Sequence, residues 1–366
     1  MSSERCILLA AGGTGGHLFP AAALAAALQA RGVPVELATD DRAMKYGQDF
    51  PARAVHVLPS ATTTGAGALT KALATVTLGA GVAAALVKLG RIRPRAVVGF
   101  GGYPTVPPLV AAWLLGIPGV LHEQNAVLGR ANRFLSPRVR LIACGFPELE
   151  GVGAAARGKV RYTGNPVRPA VIAAARTPYA PLAGQKLRLL VTGGSQGARV
   201  MADVVPEALA LLRPDERQGI RLTMQARGED KARVAAACAR LNFPVEIADF
   251  FPDLPARIAD SHLVVGRAGA STVSELAVIG RPSVLVPFPH ALDQDQAANA
   301  AALAASGGAI VVPQTAFTPE RLAAILSDAL ASPGKLAASA EAAKAAGVAD
   351  AAERLADLAL GVRLPV

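Results

Sequence analysis

The sequence predicts an α/β protein of two similar domains, each built on a parallel sheet with helices on both faces. Three observations carry this. Short apolar runs alternate with Ala/Leu-rich helical stretches from end to end. A strand–glycine loop–helix unit occurs twice, and Gly12 and Gly193 stand about half of the 366 residues apart. Apolar residues make up 52% and charged residues 17%, enough for two full cores, while aromatics at 4% leave those cores to Ala, Val and Leu.

The first unit opens with strand CILLAA, the loop Gly12-Gly13-Thr14-Gly15-Gly16-His17 and a helix from about Pro20 to Arg31. VPVELAT, AVVGF, GVLHE and LIACG read as further buried strands. Ala72–Val87 carries no charge, but at 16 residues it falls short of the roughly 18–20 a spanning helix needs. It is expected as a helix that is buried or lies at a surface. VRYTG reads as a strand, and the turn-rich Gly164–Pro169 marks the join. The second unit restarts with LRLLVT, the loop Gly193-Gly194-Ser195-Gln196-Gly197-Ala198-Arg199 and a helix near Asp203–Leu212. RLTMQA, VEIADF, HLVVG, SVLVPF and AIVVP follow as strands. The expected domains are 1–165, 166–345 and a tail, 346–366, whose helix packs back on the first domain. Two facing domains of this kind leave an interdomain cleft for a ligand.

A net charge of +10 favours phosphate-bearing partners. An Arg bias of a GC-rich genome accounts for it equally well. Nucleic acid is not expected, because no run of five basic residues occurs and few aromatics are present to stack on bases. Cys6, Cys144 and Cys238 are odd in number and far apart, which argues against disulfides or a zinc site. The N-terminus does not read as a signal peptide.

Glycine loops at strand ends let the backbone approach an oxyanion, and the helix that follows adds free N–H groups. Neither loop is G-x-G-x-x-G, and neither carries the Lys-Ser/Thr of a P-loop. Gly153–Lys159 begins like a P-loop, but Val160 stands where the hydroxyl belongs. A third loop, Gly101-Gly102-Tyr103-Pro104, precedes the cluster His122-Glu123-Gln124-Asn125, suited to acid–base or sugar hydrogen-bonding work.

The densest constellation is Arg267-Ala268-Gly269-Ala270-Ser271-Thr272-Val273-Ser274-Glu275. A helix starting near Ser271 would point its N-terminus at a diphosphate. Thr272 and Glu275 also match a capping box, so Glu275 is either a cap partner or a ribose ligand. In Asp293-Gln294-Asp295-Gln296, acids at a helix start serve the dipole, and no metal is assigned. Gln294, Gln296 and Asn299 suit sugar hydroxyls.

GGTGGH, FGGYPT, HEQNAVLGRANR, TGNPVR, TGGSQGAR, RAGASTVSEL and VPFPHALDQDQAANA, in this order, resemble the MurG family, the peptidoglycan N-acetylglucosaminyltransferases of glycosyltransferase family 28. The resemblance implies a GT-B fold of two Rossmann-like domains. It implies inverting transfer of GlcNAc from UDP-GlcNAc to the C4 hydroxyl of undecaprenyl-diphosphate-linked muramoyl-pentapeptide (lipid I), giving lipid II. It implies UDP-GlcNAc contacts at Thr14, Gly15, Gly16, Asn125, Arg168, Ser195, Phe251, Ala270, Ser271, Thr272, Val273, Ser274, Glu275 and Gln296, with no cofactor. It places the enzyme peripherally on the cytoplasmic side of a bacterial inner membrane, against anionic lipid and among cell-wall synthesis complexes. His17 is the leading general base, followed by Glu123 and then His122. Another GT-B enzyme, a glycolipid glycosyltransferase or a UDP-GlcNAc 2-epimerase, is the alternative. A dinucleotide-dependent dehydrogenase and a non-catalytic basic binding module stand further off.

Overall fold

A computed structural model of the chain describes residues 5–12, 15–41, 50–61, 67–194, 197–291 and 294–362. The chain divides into two compact units, 1–168 with 349–366, and 169–348. The first break falls at 168/169, inside the turn-rich stretch Gly164–Pro169, and Arg168 goes with the first unit.

The first unit runs β1 (Ile7–Ala10), α1 (Gly15–Ala30), β2 (Val35–Thr39), β3 (Ala54–Val57), α2 (Ala68–Ile92), β4 (Ala96–Gly99), α3 (Val106–Leu114), β5 (Gly119–Glu123), α4 (Arg130–Leu135), β6 (Leu141–Cys144), α5 (Ala154–Arg157) and β7 (Val160–Tyr162). Among the described residues its sheet has seven strands in the order β3-β2-β1-β4-β5-β6-β7, parallel throughout. Successive side chains of β1 enter opposite cores. Ile7 and Leu9 join the side covered by α1, and Leu8 and Ala10 join the side covered by α2 and α3. Both faces being covered, the central strands are buried at every position and read as unbroken apolar runs.

Two boundaries differ from expectation. α1 begins at Gly15 and carries Pro20 inside it, one turn earlier than the Ala/Leu-rich stretch from about Pro20 suggests. α2 spans 25 residues, well beyond its uncharged stretch. Thr70–Ile92 is long and apolar enough to cross a membrane by length and composition. Yet α2 packs closely along one side. A Cβ at Gly81 would meet the Pro59 carbonyl at 2.1 Å and Pro107 Cγ at 3.0 Å, so only glycine fits there.

The second unit runs α6 (Pro169–Ala174), β8 (Leu187–Thr192), α7 (Arg199–Leu211), α8 (Pro214–Gln218), β9 (Ile220–Gln225), α9 (Gly228–Arg240), β10 (Val245–Ala248), α10 (Leu254–Asp260), β11 (Leu263–Gly266), α11 (Ala270–Ile279), β12 (Ser283–Leu285), α12 (Asp295–Ala305), β13 (Ala309–Val311), α13 (Pro319–Ala331) and α14 (Pro333–Ala346). Its parallel sheet has the order β10-β9-β8-β11-β12-β13. Leu187, Leu189 and Val191 of β8 pack with residues of α7, α9 and α13 in the main core.

The tail helix α15 (Ala351–Gly361) returns to the first unit. Leu355, Ala356 and Ala359 enter the core beside α1. Arg31 bonds Glu353 and Asp357, each at 2.6 Å, and Arg95 donates to the Leu360 carbonyl at 2.6 Å. The three cysteines are free and buried.

Candidate functional site

In each sheet the strand order reverses once, between β1 and β4 and between β8 and β11. Ligands of open parallel sheets bind outside the carboxyl ends of the strands at that reversal. The glycine loops after β1 and β4 flank the first reversal, and those after β8 and β11 flank the second.

In the first unit, Gly15, Gly16 and His17 form the first turn of α1. A Cβ at Gly12 would meet Asp40 Oδ1 at 2.7 Å and the Pro104 ring at 3.0 Å, so a side chain here would crowd both. The His17 ring lies over the next loop: Cβ atoms at Gly101 and Gly102, both with φ above +70°, would stand 3.6 Å from its Cδ2 and 3.4 Å from its Cε1. Burial lowers the His17 pKa below its usual value, against a hydrogen bond with the Gly12 backbone. The imidazole is therefore neutral at pH 7 and fit to accept a proton. Arg168 lies 5.1 Å over the ring of Phe19, which packs against Gly15 on the same turn. Gly15, Phe19 and Arg168 thus come together, while His17 lies against the loop after β4. Thr14 lies outside the described residues.

His122 and Glu123 are corrected. His122 is 0% exposed and faces the Gly164 carbonyl with Nε2 (3.1 Å) and the Gln124 amide with Nδ1 (3.1 Å). Burial lowers its pKa to about 4. Both nitrogens are used, so it is a fixed strut and not a base. Glu123 is 3% exposed and accepts from Asn125 N (3.0 Å), Asn125 Nδ2 (3.4 Å), Gly129 N (2.9 Å) and Asn132 Nδ2 (2.8 Å). Burial raises its pKa against those donors. With every lone-pair direction taken, it organises residues 124–132 and has none left for an acceptor hydroxyl. Asn125 is bound to that carboxylate. Asn132 also touches the Gly101 position, so this network ends beside His17.

In the second unit, Gly193 folds back on Ala198, whose N would lie 2.3 Å from a Cβ, giving a closed turn with no room for a side chain. Ser195 and Asp293 lie outside the described residues. α11 begins at Ala270 with Gly269 as its cap, and no side chain caps it. Thr272 and Glu275 are therefore both inside the helix, and the capping-box reading of Glu275 fails. Ala270 to Glu275 occupy its first turns, where leading amides lack intrahelical acceptors.

Gln296, on the first turn of α12, accepts through Oε1 from Phe288 N (3.0 Å) and Ala268 N (3.3 Å). Asn299 is fully buried and donates to the Ala268 carbonyl (3.2 Å), so it braces the loop before α11. Phe251 is 5% exposed, with the Arg257 guanidinium over its ring (4.2 Å). A cavity of about 240 Å³ under α10 lies at the other sheet edge, and its Arg188 and Arg257 are paired with Asp260 (3.4 Å) and Glu246 (2.7 Å). It belongs to the scaffold.

Residues 7–144 match the N-terminal domain of glycosyltransferase family 28, and residues 188–355 match its C-terminal domain. The chain belongs to glycosyltransferase family 28. Among relatives, it is 57% identical to the UDP-N-acetylglucosamine–N-acetylmuramyl-(pentapeptide) pyrophosphoryl-undecaprenol N-acetylglucosamine transferase of Methylobacterium nodulans, over 97% of this chain and 96% of that protein. It is 55% identical to the Bradyrhizobium diazoefficiens protein of the same name, over 99% of each. The crystal structure of Acinetobacter baumannii MurG superposes with a TM-score of 0.79 at 28% identity, covering 98% of this chain and 100% of that one. A UDP-GlcNAc 2-epimerase from Neisseria meningitidis shares the fold, with a TM-score of 0.68 at 13% identity over 97% of this chain and all of that one. Family 28 membership and the two parallel-sheet units together make the fold GT-B.

Proposed function

We propose that this family 28 enzyme transfers N-acetylglucosamine from UDP-GlcNAc to the C4 hydroxyl of undecaprenyl-diphosphate-linked muramoyl-pentapeptide, with inversion, forming lipid II for peptidoglycan. The observation that carries this is identity above one half, sustained over nearly the whole chain, to enzymes bearing that name. The residues suit the chemistry. Inversion needs a base at the acceptor hydroxyl and stabilisation of departing UDP. Neutral His17 supplies the base. The N-terminus of α11 and the glycine backbone after β8 supply donors for the diphosphate, and Gln296 has amide hydrogens for the sugar. Purified protein given UDP-GlcNAc is expected to release UDP only when lipid I is added. UDP-ManNAc formed without acceptor would make it an epimerase, and no turnover with both substrates would overturn the reading.

The same reading places the enzyme peripherally at the cytoplasmic face of the inner membrane. α2 and α3 both return from the carboxyl to the amino end of the sheet, and Gly81 meets Pro107. Exposed Val87 of α2 and exposed Trp113 and Leu114 at the end of α3 therefore lie toward the same end of the two helices. Trp113 is 52% exposed, and the Arg138 guanidinium stands over its ring (5.6 Å) and over Phe134 (4.4 Å). Lys88, Arg91 and Arg93 continue the basic rim. An apolar surface ringed by cations fits anionic lipid, each cation contributing about 1 kcal/mol. Charge reversal at Lys88, Arg91 and Arg93 is expected to weaken binding to phosphatidylglycerol vesicles at least tenfold. Undiminished binding would remove this surface from the role.

A further inference from the structure

We propose that Gln225 is a positioning residue for the sugar-nucleotide donor, acting through the glycine loop after β8; this rests on the reading that the second unit holds UDP-GlcNAc. Gln225 closes β9, the strand beside β8, at its carboxyl end. Its Oε1 accepts from Thr192 Oγ1 (2.8 Å) and from Gly193 N (3.2 Å). Its Nε2 donates to the carbonyls of Gly194 (3.3 Å) and Asp249 (3.1 Å). The carboxamide thereby uses both acceptor positions and both donors. Thr192 Oγ1 in turn accepts from Gly194 N (3.3 Å) and closes the ring.

The chemistry requires such a brace. A Gly-Gly loop has no side chain to hold itself, and it loses more conformational entropy on ordering than any other dipeptide. Gly194 sits at φ +72°, and Gly197, at φ +68°, has the Arg227 stem where a Cβ would be (2.8 Å). Gly193 and Gly194 have no side chains of their own to fix them, so their hydrogen bonds come from the neighbouring strand. Through Asp249, held also by Lys231 at 3.6 Å, the same side chain ties the loop to the segment leading into Phe251. The Gln225 carboxamide is committed to this network. Its effect is to set the loop amides for a diphosphate.

The test is steady-state kinetics of the full-length enzyme with UDP-GlcNAc and lipid I. Gln225→Leu is expected to raise KM for UDP-GlcNAc about tenfold or more while KM for lipid I stays near wild type, with some loss in thermal midpoint from the groups left unpaired. Gln225→Glu keeps the acceptors, loses the donors and adds a charge. Its rise in KM is expected to shrink as pH falls toward about 5, because the protonated carboxyl regains a donor. Unchanged KM for UDP-GlcNAc in both variants would overturn the proposal. So would equal rises for both substrates, which mark a structural role alone. Wild-type enzyme that neither binds nor turns over UDP-GlcNAc would instead overturn the reading beneath it.

Discussion

Replacing His17 by Ala lowers kcat by about 10²–10⁴-fold and leaves the affinity for UDP-GlcNAc within a few-fold of wild type. The expectation follows from three features of the first unit. His17 stands on the first turn of α1, over the Gly101–Gly102 backbone at the sheet reversal. Burial keeps its pKa below the usual histidine value, so the neutral ring that accepts a proton is the resident form at pH 7. The neighbouring candidates are spent, His122 on Gly164 and Gln124, and Glu123 on four N–H donors. A base whose pKa is depressed loses function only as pH falls through that depressed value. The acid limb of the kcat profile is therefore expected below the range of an exposed histidine, and absent in His17→Ala. Turnover unchanged in the variant, or an acid limb above about 6.5, removes His17 from the role.

The glycine loops were legible from the sequence because their constraint is local. A strand that ends in Gly-Gly before a helix leaves few other backbones available. The fold was legible for a related reason. Central parallel strands are covered on both faces, so CILLAA and HLVVG show as plain apolar runs. β3 was missed because it is an edge strand, half exposed. Its pairing rests on Glu36, which bonds Arg53 at 2.8 Å and His56 at 2.7 Å across some twenty residues, and no window of sequence shows that. HEQN misled for the same reason in reverse. A polar cluster at a strand end looks alike whether it meets substrate or locks a loop, and β5 lies in the sheet interior, where both faces are filled. Gln225 and Arg281 were also missed. Each had a signal: a lone carboxamide closing an apolar strand, and a cation just after a helix-ending glycine.

That cation carries the largest stability effect expected in the second unit. Arg281 is 1% exposed and faces no carboxylate at hydrogen-bond range among the described residues. Its guanidinium donates to backbone carbonyls only: Ala259 (Nε, 3.0 Å; also Nη2), Ile279 (3.1 Å) and Gly280 (2.9 Å) from Nη1, and Thr177 (3.1 Å) and Pro178 (3.2 Å) from Nη2. The Tyr179 ring lies 5.5 Å from its centre. Three chain segments, before β8, in α10 and at the end of α11, are thus joined at one planar group. Gly280, at φ +77°, turns the chain so that Arg281 can reach back to the orphan carbonyls of α11. Burial lowers the arginine pKa, yet its ordinary value is high enough that the charge persists. Arg281→Ala removes the partner of five carbonyls, three of them on the buried residues Ala259, Ile279 and Gly280, and is expected to cost about 3–5 kcal/mol, read as a lower urea midpoint at unchanged slope. Arg281→Lys keeps the charge but not the planar fork, and recovers less than half of the loss. A cost under about 1 kcal/mol for the alanine variant would mean that water reaches these carbonyls and that α11 is anchored elsewhere.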